Sequence, residues 1–146
     1  HWKMLRAGFD ADRAARMCGE AGARIPVTAP EGEPCALSTA DSREFFMELT
    51  KAKTAGWEND VTLHSVELST EYEPGTYVSR ISPTPLLLVA AREDHLTPFD
   101  MAAAAYEEAL EPKKFLPLPC GHFDAYVGDM FKMSAPVQRA WIKTHL

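Results

Sequence analysis

The chain has 146 residues, 46% of them hydrophobic and 25% charged, with apolar residues spread along its whole length, so an ordinary globular core is expected. A net charge of −6 and a pI near 5.3 argue against nucleic acid or an anionic membrane as partner, because both demand clustered Lys and Arg, and Lys113-Lys114 is the only basic pair of note. The longest apolar run, residues 85–91, is far too short to cross a bilayer, and no membrane partner is expected.

In chain order, Asp10 is placed to cap a helix carrying Ala14, Met17, Cys18 and Ala21 on one face, with Gly22 ending it. Residues 25–34 hold three prolines and Gly32, which predicts a stiff, irregular connection. Asp41-Ser42-Arg43-Glu44 has the form of a capping box, and Phe45, Phe46, Leu49 and Ala52 follow at helical spacing, predicting a second helix over about 42–54. Residues 61–72 carry two patterns. Val61, Leu63 and Ser65 alternate like a strand, whereas Leu68 and Tyr72 continue at helical spacing; a helix capped by Asn59 is the preferred reading.

From residue 81 the pattern sharpens. Ser82-Pro83-Thr84-Pro85 cannot be helical, and the apolar run behind it lacks polar alternation, the mark of a strand covered on both faces. Thr97-Pro98-Phe99-Asp100 starts a helix with Thr97 as its cap, and Ala102, Ala105, Tyr106 and Ala109 form its buried side. Residues 114–118 supply a second strand, so that strand, helix and strand make a right-handed parallel crossover. Ser134 with Pro136 opens a final helix with a buried stripe of Val137, Ala140 and Trp141. The fold class predicted is α/β.

Asp94 and His122 stand just beyond those two strands, where side chains of neighbouring parallel strands converge on one crevice. Asp94 lies between a strand and a helix N-terminus, where backbone N–H groups can keep a carboxylate ionised. Gly121 permits a tight turn that throws the His122 imidazole over the strand ends. A carboxylate accepting from His Nδ1–H fixes the tautomer and supports the imidazolium, while Nε2 takes a proton from a serine, and these are the roles expected of the two residues. Taken singly, Asp94 could merely cap a turn and His122 could be a satisfied loop histidine; the pairing at matching strand ends favours catalysis. Asp124 reads as a cap for the residues after it, while His95, His64 and His145 need no function.

The stretch 81–146 resembles the C-terminal third of an α/β-hydrolase, in which the acid follows the seventh strand, often with Pro four residues later, and the histidine follows the last strand, often as Gly-His. Asp94 with Pro98, and Gly121-His122, match both. Ser82-Pro83-Thr84-Pro85, Glu111-Pro112-Lys113 and Gly121-His122-Phe123-Asp124-Ala125-Tyr126 resemble a branch containing dipeptidyl-peptidase-like and polyketide-transferase-like acyl hydrolases. The resemblance implies that residues 1–80, including Trp57-Glu58-Asn59, are a helical lid and 81–146 the C-terminal part of the core. It implies a serine hydrolase acting on an ester, thioester or amide through an acyl-serine.

That family places its nucleophile elbow earlier, in the order Ser, Asp, His, and no Gly-x-Ser-x-Gly occurs in this chain. Residue 1 is expected to lie past the elbow, so the chain alone is expected to be inactive, its partner being the N-terminal part of the hydrolase fold. Ser38, in Ala36-Leu37-Ser38-Thr39-Ala40, lacks the buried strand an elbow requires, since Glu31, Gly32, Glu33 and Pro34 precede it. Cys18 is expected inside a helix, Cys120 is too close along the chain to His122, and each cysteine reads as a small buried residue. Three irregularly spaced cysteines also point to a reducing compartment, the cytoplasm. Because the first residue is His1 and not Met, a natural start further upstream is expected, and the lack of a leader says little. No zinc spacing links Cys120, His122 and His95, and neither cofactor nor metal is expected.

The density of Trp2, Met4, Phe9, Met17, Phe45, Phe46, Met47 and Trp57 in the first half suggests an apolar roof and hence a hydrophobic small-molecule acyl or ester substrate. The alternative is a catalytically inert α/β fragment or binding domain.

Overall fold

The structure, a computed structural model, describes residues 2–51 and 56–145, without the side chains of Trp2, Met4, Leu49, Thr50 and Lys51. It divides into two compact units, His1–Tyr72 and Glu73–Leu146.

In the first unit, helix α1 spans Trp2–Met17. It starts eight residues before the cap expected at Asp10, because Leu5, Phe9 and Asp12 fall on one face and all three are buried. Asp10 sits on the exposed side instead, paired with Arg13. The helix ends at Met17, and the glycine that turns the chain out of it is Gly19 and not Gly22: Gly19 takes the left-handed φ of 80°, and Glu20 N–H reaches Ala15 O at 3.1 Å while Gly19 N–H reaches Arg16 O at 3.0 Å. Residues 26–34 are irregular as predicted, although Arg24–Ile25 forms a short strand, β1, antiparallel to β2, Val61–Thr62.

Helix α2, Ala40–Lys51, is present, and its cap is Thr39 in place of Asp41. The Thr39 hydroxyl pairs with Ser42 Oγ at 2.5 Å, and the Asp41 carboxylate accepts the Ser42 N–H at 2.9 Å from within the first turn. The last residues predicted for this helix, 52–54, lie outside the described residues, as do Ala52 and the side chain of Leu49 on its expected apolar face. Phe46 stacks on Trp57, with ring centroids 5.7 Å apart.

The helix preferred for residues 61–72 forms, and of the alternating pattern only Val61 lies in a strand, Leu63 and Ser65 being helical. Val61 and Thr62 are the strand, and helix α3 follows over Leu63–Glu71. Its cap is Thr62, whose side chain accepts Ser65 N–H at 3.1 Å. Asn59 does other work, closing the irregular loop through Thr28 N–H at 3.0 Å and Thr28 O at 2.9 Å. Leu5 and Phe9 pack against Leu63 and Val66, with Ile25, Ala36 and Val61 around them. Beside this core Asp12 is buried and accepts from Ala23 N–H at 2.6 Å and Arg16 Nε at 2.8 Å. Those bonds, the backbone one foremost, hold its carboxyl below the usual carboxylate range.

The second unit begins with a 3-10 segment, Pro74–Arg80. Strand β3, Leu86–Ala91, pairs in parallel with β4, Lys113–Leu118, in register from Leu86↔Lys113 to Ala91↔Leu118. At the strand starts, Ser82 Oγ donates to Glu111 O at 2.7 Å and Leu86 N–H to Pro112 O at 2.9 Å. Helix α4, Phe99–Glu108, joins the strands, as the parallel crossover requires. It lays Tyr106 and Phe99 on Phe115 of β4, with ring centroids 5.2 and 5.6 Å away.

Helix α5 runs Gly128–His145. It starts six residues before the predicted Ser134, and Pro136 lies inside it. A proline costs a helix one N–H donor and crowds the preceding turn, and here the apolar stripe on both sides outweighs that. Its inward side is Met130, Ser134, Val137 and Trp141, with Ser134 fully buried, whereas Ala140, expected on that stripe, is exposed. Ala91, Leu118 and Cys120 form the buried centre, flanked by Leu116, Ala125 and Met130. Coverage of β3 is thinner than its apolar run implies: Ala91 is buried, the rest is half-buried or exposed, and its one pairing partner among the described residues is β4. No helix among the described residues is long and apolar enough to cross a membrane.

Candidate active site

The parallel pairing does not stop where the strands do. Arg92 N–H donates to Leu118 O at 2.8 Å and Glu93 N–H to Cys120 O at 3.0 Å, so the two loops leave the sheet zipped together. That brings Asp94 and His122, 28 positions apart, into contact: His122 Nδ1 lies 2.8 Å from Asp94 Oδ2. The carboxylate side chain is only 6% exposed and the imidazole 22%, so the pair is shielded but reachable.

Asp94 is fully satisfied. Its Oδ1 accepts the N–H groups of Leu96 and Thr97, each at 2.8 Å, and Oδ2 accepts the Thr97 hydroxyl at 2.8 Å besides facing His122. Burial works against its charge. The Thr97 N–H, His122, the Thr97 hydroxyl and the Leu96 N–H outweigh it and hold the carboxyl below the usual carboxylate range. The role expected of Thr97 as the cap of α4 is therefore not the one it fills. Pro98 occupies the cap position without a side-chain bond, and the Thr97 hydroxyl is turned back to the acid.

His122 opens a short 3-10 turn, Phe123–Tyr126, and its ring meets the rings of Phe123 and Tyr126 edge-on at 4.8 and 5.7 Å between centroids. Asp124 points backward, accepting Gly121 N–H at 3.0 Å, and does not cap the chain ahead of it. Gly121 serves this contact more than a special backbone angle, since a Cβ there would stand 3.3 Å from Asp124 Oδ2. An imidazole whose Nδ1–H is given to a carboxylate keeps its Nε2 lone pair for an incoming proton.

Solved structures superpose on nearly the whole chain. The α/β hydrolase GrgF from Penicillium sp. sh18 superposes on 98% of it with a TM-score of 0.77 at 24% identity, and on 49% of its own length. The fold is that of the C-terminal portion of an α/β-hydrolase.

A second solved structure, DcsB in complex with its substrate analogue, matches 99% of the chain with a TM-score of 0.81 at 19% identity, over 51% of its own length. The hypothetical protein PA2218 from Pseudomonas aeruginosa matches 99% at a TM-score of 0.64 and 20% identity. Among curated sequences, the uncharacterized protein YfhR of Escherichia coli strain K12 is 35% identical over 69 residues, 44% of this chain and 24% of that one. An uncharacterized 31.7 kDa protein in the traX-finO intergenic region of Escherichia coli is 29% identical over 112 residues, 75% of this chain and 38% of that one. The chain thus spans well under half the length of these curated relatives. No protein-family model matches it.

The other candidate residues of this hydrolase-fold chain fall elsewhere. Ser38 lies in an irregular loop just before α2, with no strand leading into it. Cys18 is neither helical nor buried, because α1 ends at Met17 and leaves the thiol exposed. Cys35 and Cys120 are buried as expected. Burial, with the carboxylates of Asp124, Glu93 and Asp94 nearby, pushes the Cys120 thiol up, the reverse of an activated nucleophile. His95 is exposed; His64 lies 3.2 Å from Arg16 Nη2 in the first unit; His145 rests on Trp141 at 4.0 Å between centroids. Among the described residues no group of His, Cys, Asp and Glu could hold a metal ion. The part of the site that sequence reading missed is the grip of Thr97 and Asp124; the signal for Thr97 was Asp-x-x-Thr, a spacing at which a carboxylate bonds the backbone just ahead, whereas Asp124 bonds backward to Gly121.

Proposed function

We propose that this chain supplies the acid and the histidine of a serine-hydrolase triad that cleaves an ester, thioester or amide by way of an acyl-serine, with residues 1–80 acting as lid. The observation that carries this reading is the 2.8 Å contact of His122 Nδ1 with the shielded, hydrogen-bonded carboxylate of Asp94 beyond two parallel strand ends. In the proposed reaction His122 Nε2 removes the proton of a serine hydroxyl as its oxygen attacks the substrate carbonyl carbon. The same proton then passes to the leaving group as its bond to that carbon breaks. Water, deprotonated by His122, releases the acid and regenerates the serine. Asp94 stays ionised throughout and offsets the imidazolium charge. The serine and the oxyanion hole belong, in this proposal, to sequence preceding residue 1 in the gene. The rings of Phe123 and Tyr126 against His122 favour an apolar substrate.

A fluorophosphonate probe tests the reading. The protein expressed from its natural gene is expected to be labelled, the 146-residue chain alone is not, and His122→Ala abolishes the labelling. Labelling that survives His122→Ala unchanged would sink the proposal and leave an inert binding domain as the better description.

A further inference from the structure

Hydrogen bonds are soft and the terminal torsion of an aspartate is broad, so the Leu96 and Thr97 N–H groups on Asp94 Oδ1 leave the carboxylate room to rock and aim Oδ2 only loosely. The Thr97 hydroxyl completes the grip. It donates to Oδ2 at 2.8 Å, on the same oxygen that faces His122 Nδ1 at 2.8 Å. With its proton committed to the carboxylate, Thr97 Oγ1 presents only lone pairs to His122 Nδ1, 3.4 Å away. Both oxygens near Nδ1 are then acceptors, an arrangement that selects the neutral imidazole protonated at Nδ1 and leaves Nε2 free.

We propose that Thr97 is a positioning residue of the acid–histidine pair, setting the rotation of the Asp94 carboxylate and, through it, the tautomer of His122. This rests on the triad reading above. Pro98 fits it, since a cap position with no side-chain bond leaves the hydroxyl of residue 97 unclaimed by α4.

The test uses this chain and needs no nucleophile: ring-nitrogen NMR shifts of His122 at a pH where the imidazole is neutral, with Asp94 followed by its carboxyl carbon. The wild-type chain is expected to show the Nδ1–H tautomer. Thr97→Val, which keeps the shape and removes the donor, is expected to shift the tautomer population towards Nε2–H and to raise the Asp94 titration midpoint, while Thr97→Ser restores both. A Thr97→Val spectrum and titration identical to wild type overturn this inference and leave the triad reading standing. A wild-type His122 that is not Nδ1-protonated, or that ignores Asp94→Asn, overturns both. Should Thr97→Val fail to fold, the wild-type hydroxyl proton decides: slow exchange with water supports the grip, and exchange as fast as in free threonine refutes it.

Discussion

Asp94 collects four donors, and they fix how its carboxyl responds to pH. The folded carboxyl titrates below its ordinary value, so its contribution to stability is fully present above the ordinary carboxylate range and is lost as pH falls through the lowered folded value. Asp94→Asn should remove that acid-side loss of stability, measured as thermal melting against pH, and on the proposed triad should lower turnover by roughly four orders of magnitude, as expected when a histidine loses its orienting carboxylate. A variant that melted with an unchanged pH profile would show the carboxylate to be idle. Asp124 allows a sharper separation of charge from geometry. Asp124→Asn keeps an oxygen for Gly121 N–H but drops the charge that helps hold the Cys120 thiol up, so the thiol should titrate lower while Gly121 amide exchange stays slow. Asp124→Ala should lower the thiol too and speed that exchange about tenfold, the loss of a hydrogen bond of about 1–1.5 kcal/mol. Equal exchange in the two variants would mean that Asp124 does not brace the histidine loop.

At the scale of elements, the readable parts were those in which local chemistry and packing agree. The apolar run 85–91 became β3 and residues 114–118 became most of β4, because apolar segments this short and bounded by prolines favour a strand over a helix. Asp94 and His122 were legible for the same reason, as polar residues at the ends of strands whose direction was already clear. Boundaries set by a single capping residue were not legible. Asp10 looked like a helix start, yet Leu5 and Phe9 had already committed the chain to helix; Ser134 looked like another, yet Met130 extended the buried stripe ahead of it. In each case tertiary burial overrode a preference worth about 1 kcal/mol. The role of Thr97 was hidden because its two candidate partners, α4 and Asp94, lie equally near in sequence and only the loop geometry chooses between them. The strand pair carries the site, and Leu118, which is 0% exposed, closes β4 in the buried cluster with Ala91 and Cys120. Leu118→Ala should cost about 2–5 kcal/mol in chemical denaturation, from the lost burial of the removed atoms together with the cavity left behind. A cost well under 1 kcal/mol would mean that this core is loosely packed.

At the scale of the whole chain, the second unit presents an imbalance between what its sheet offers and what it pairs. Among the described residues β3 and β4 bond only to each other, so each keeps one row of unmatched backbone groups, and Val89 in the middle of β3 is 36% exposed. Open strand edges of this kind template further pairing. Opposing this is the net charge of −6, which repels like molecules over a distance of about 10 Å at 0.1 M salt and about 3 Å at 1 M. The two effects predict association that depends on concentration and grows with ionic strength, the reverse of assembly held by salt bridges. Sedimentation velocity of the 146-residue chain at low and high salt measures it directly. A rising mean mass at high salt is expected, and Val89→Lys should suppress it by placing a charge on the open strand. A monomer at every concentration and salt would show that the strand edges are already protected, and that the pairing capacity of β3 is smaller than its hydrogen-bond inventory implies.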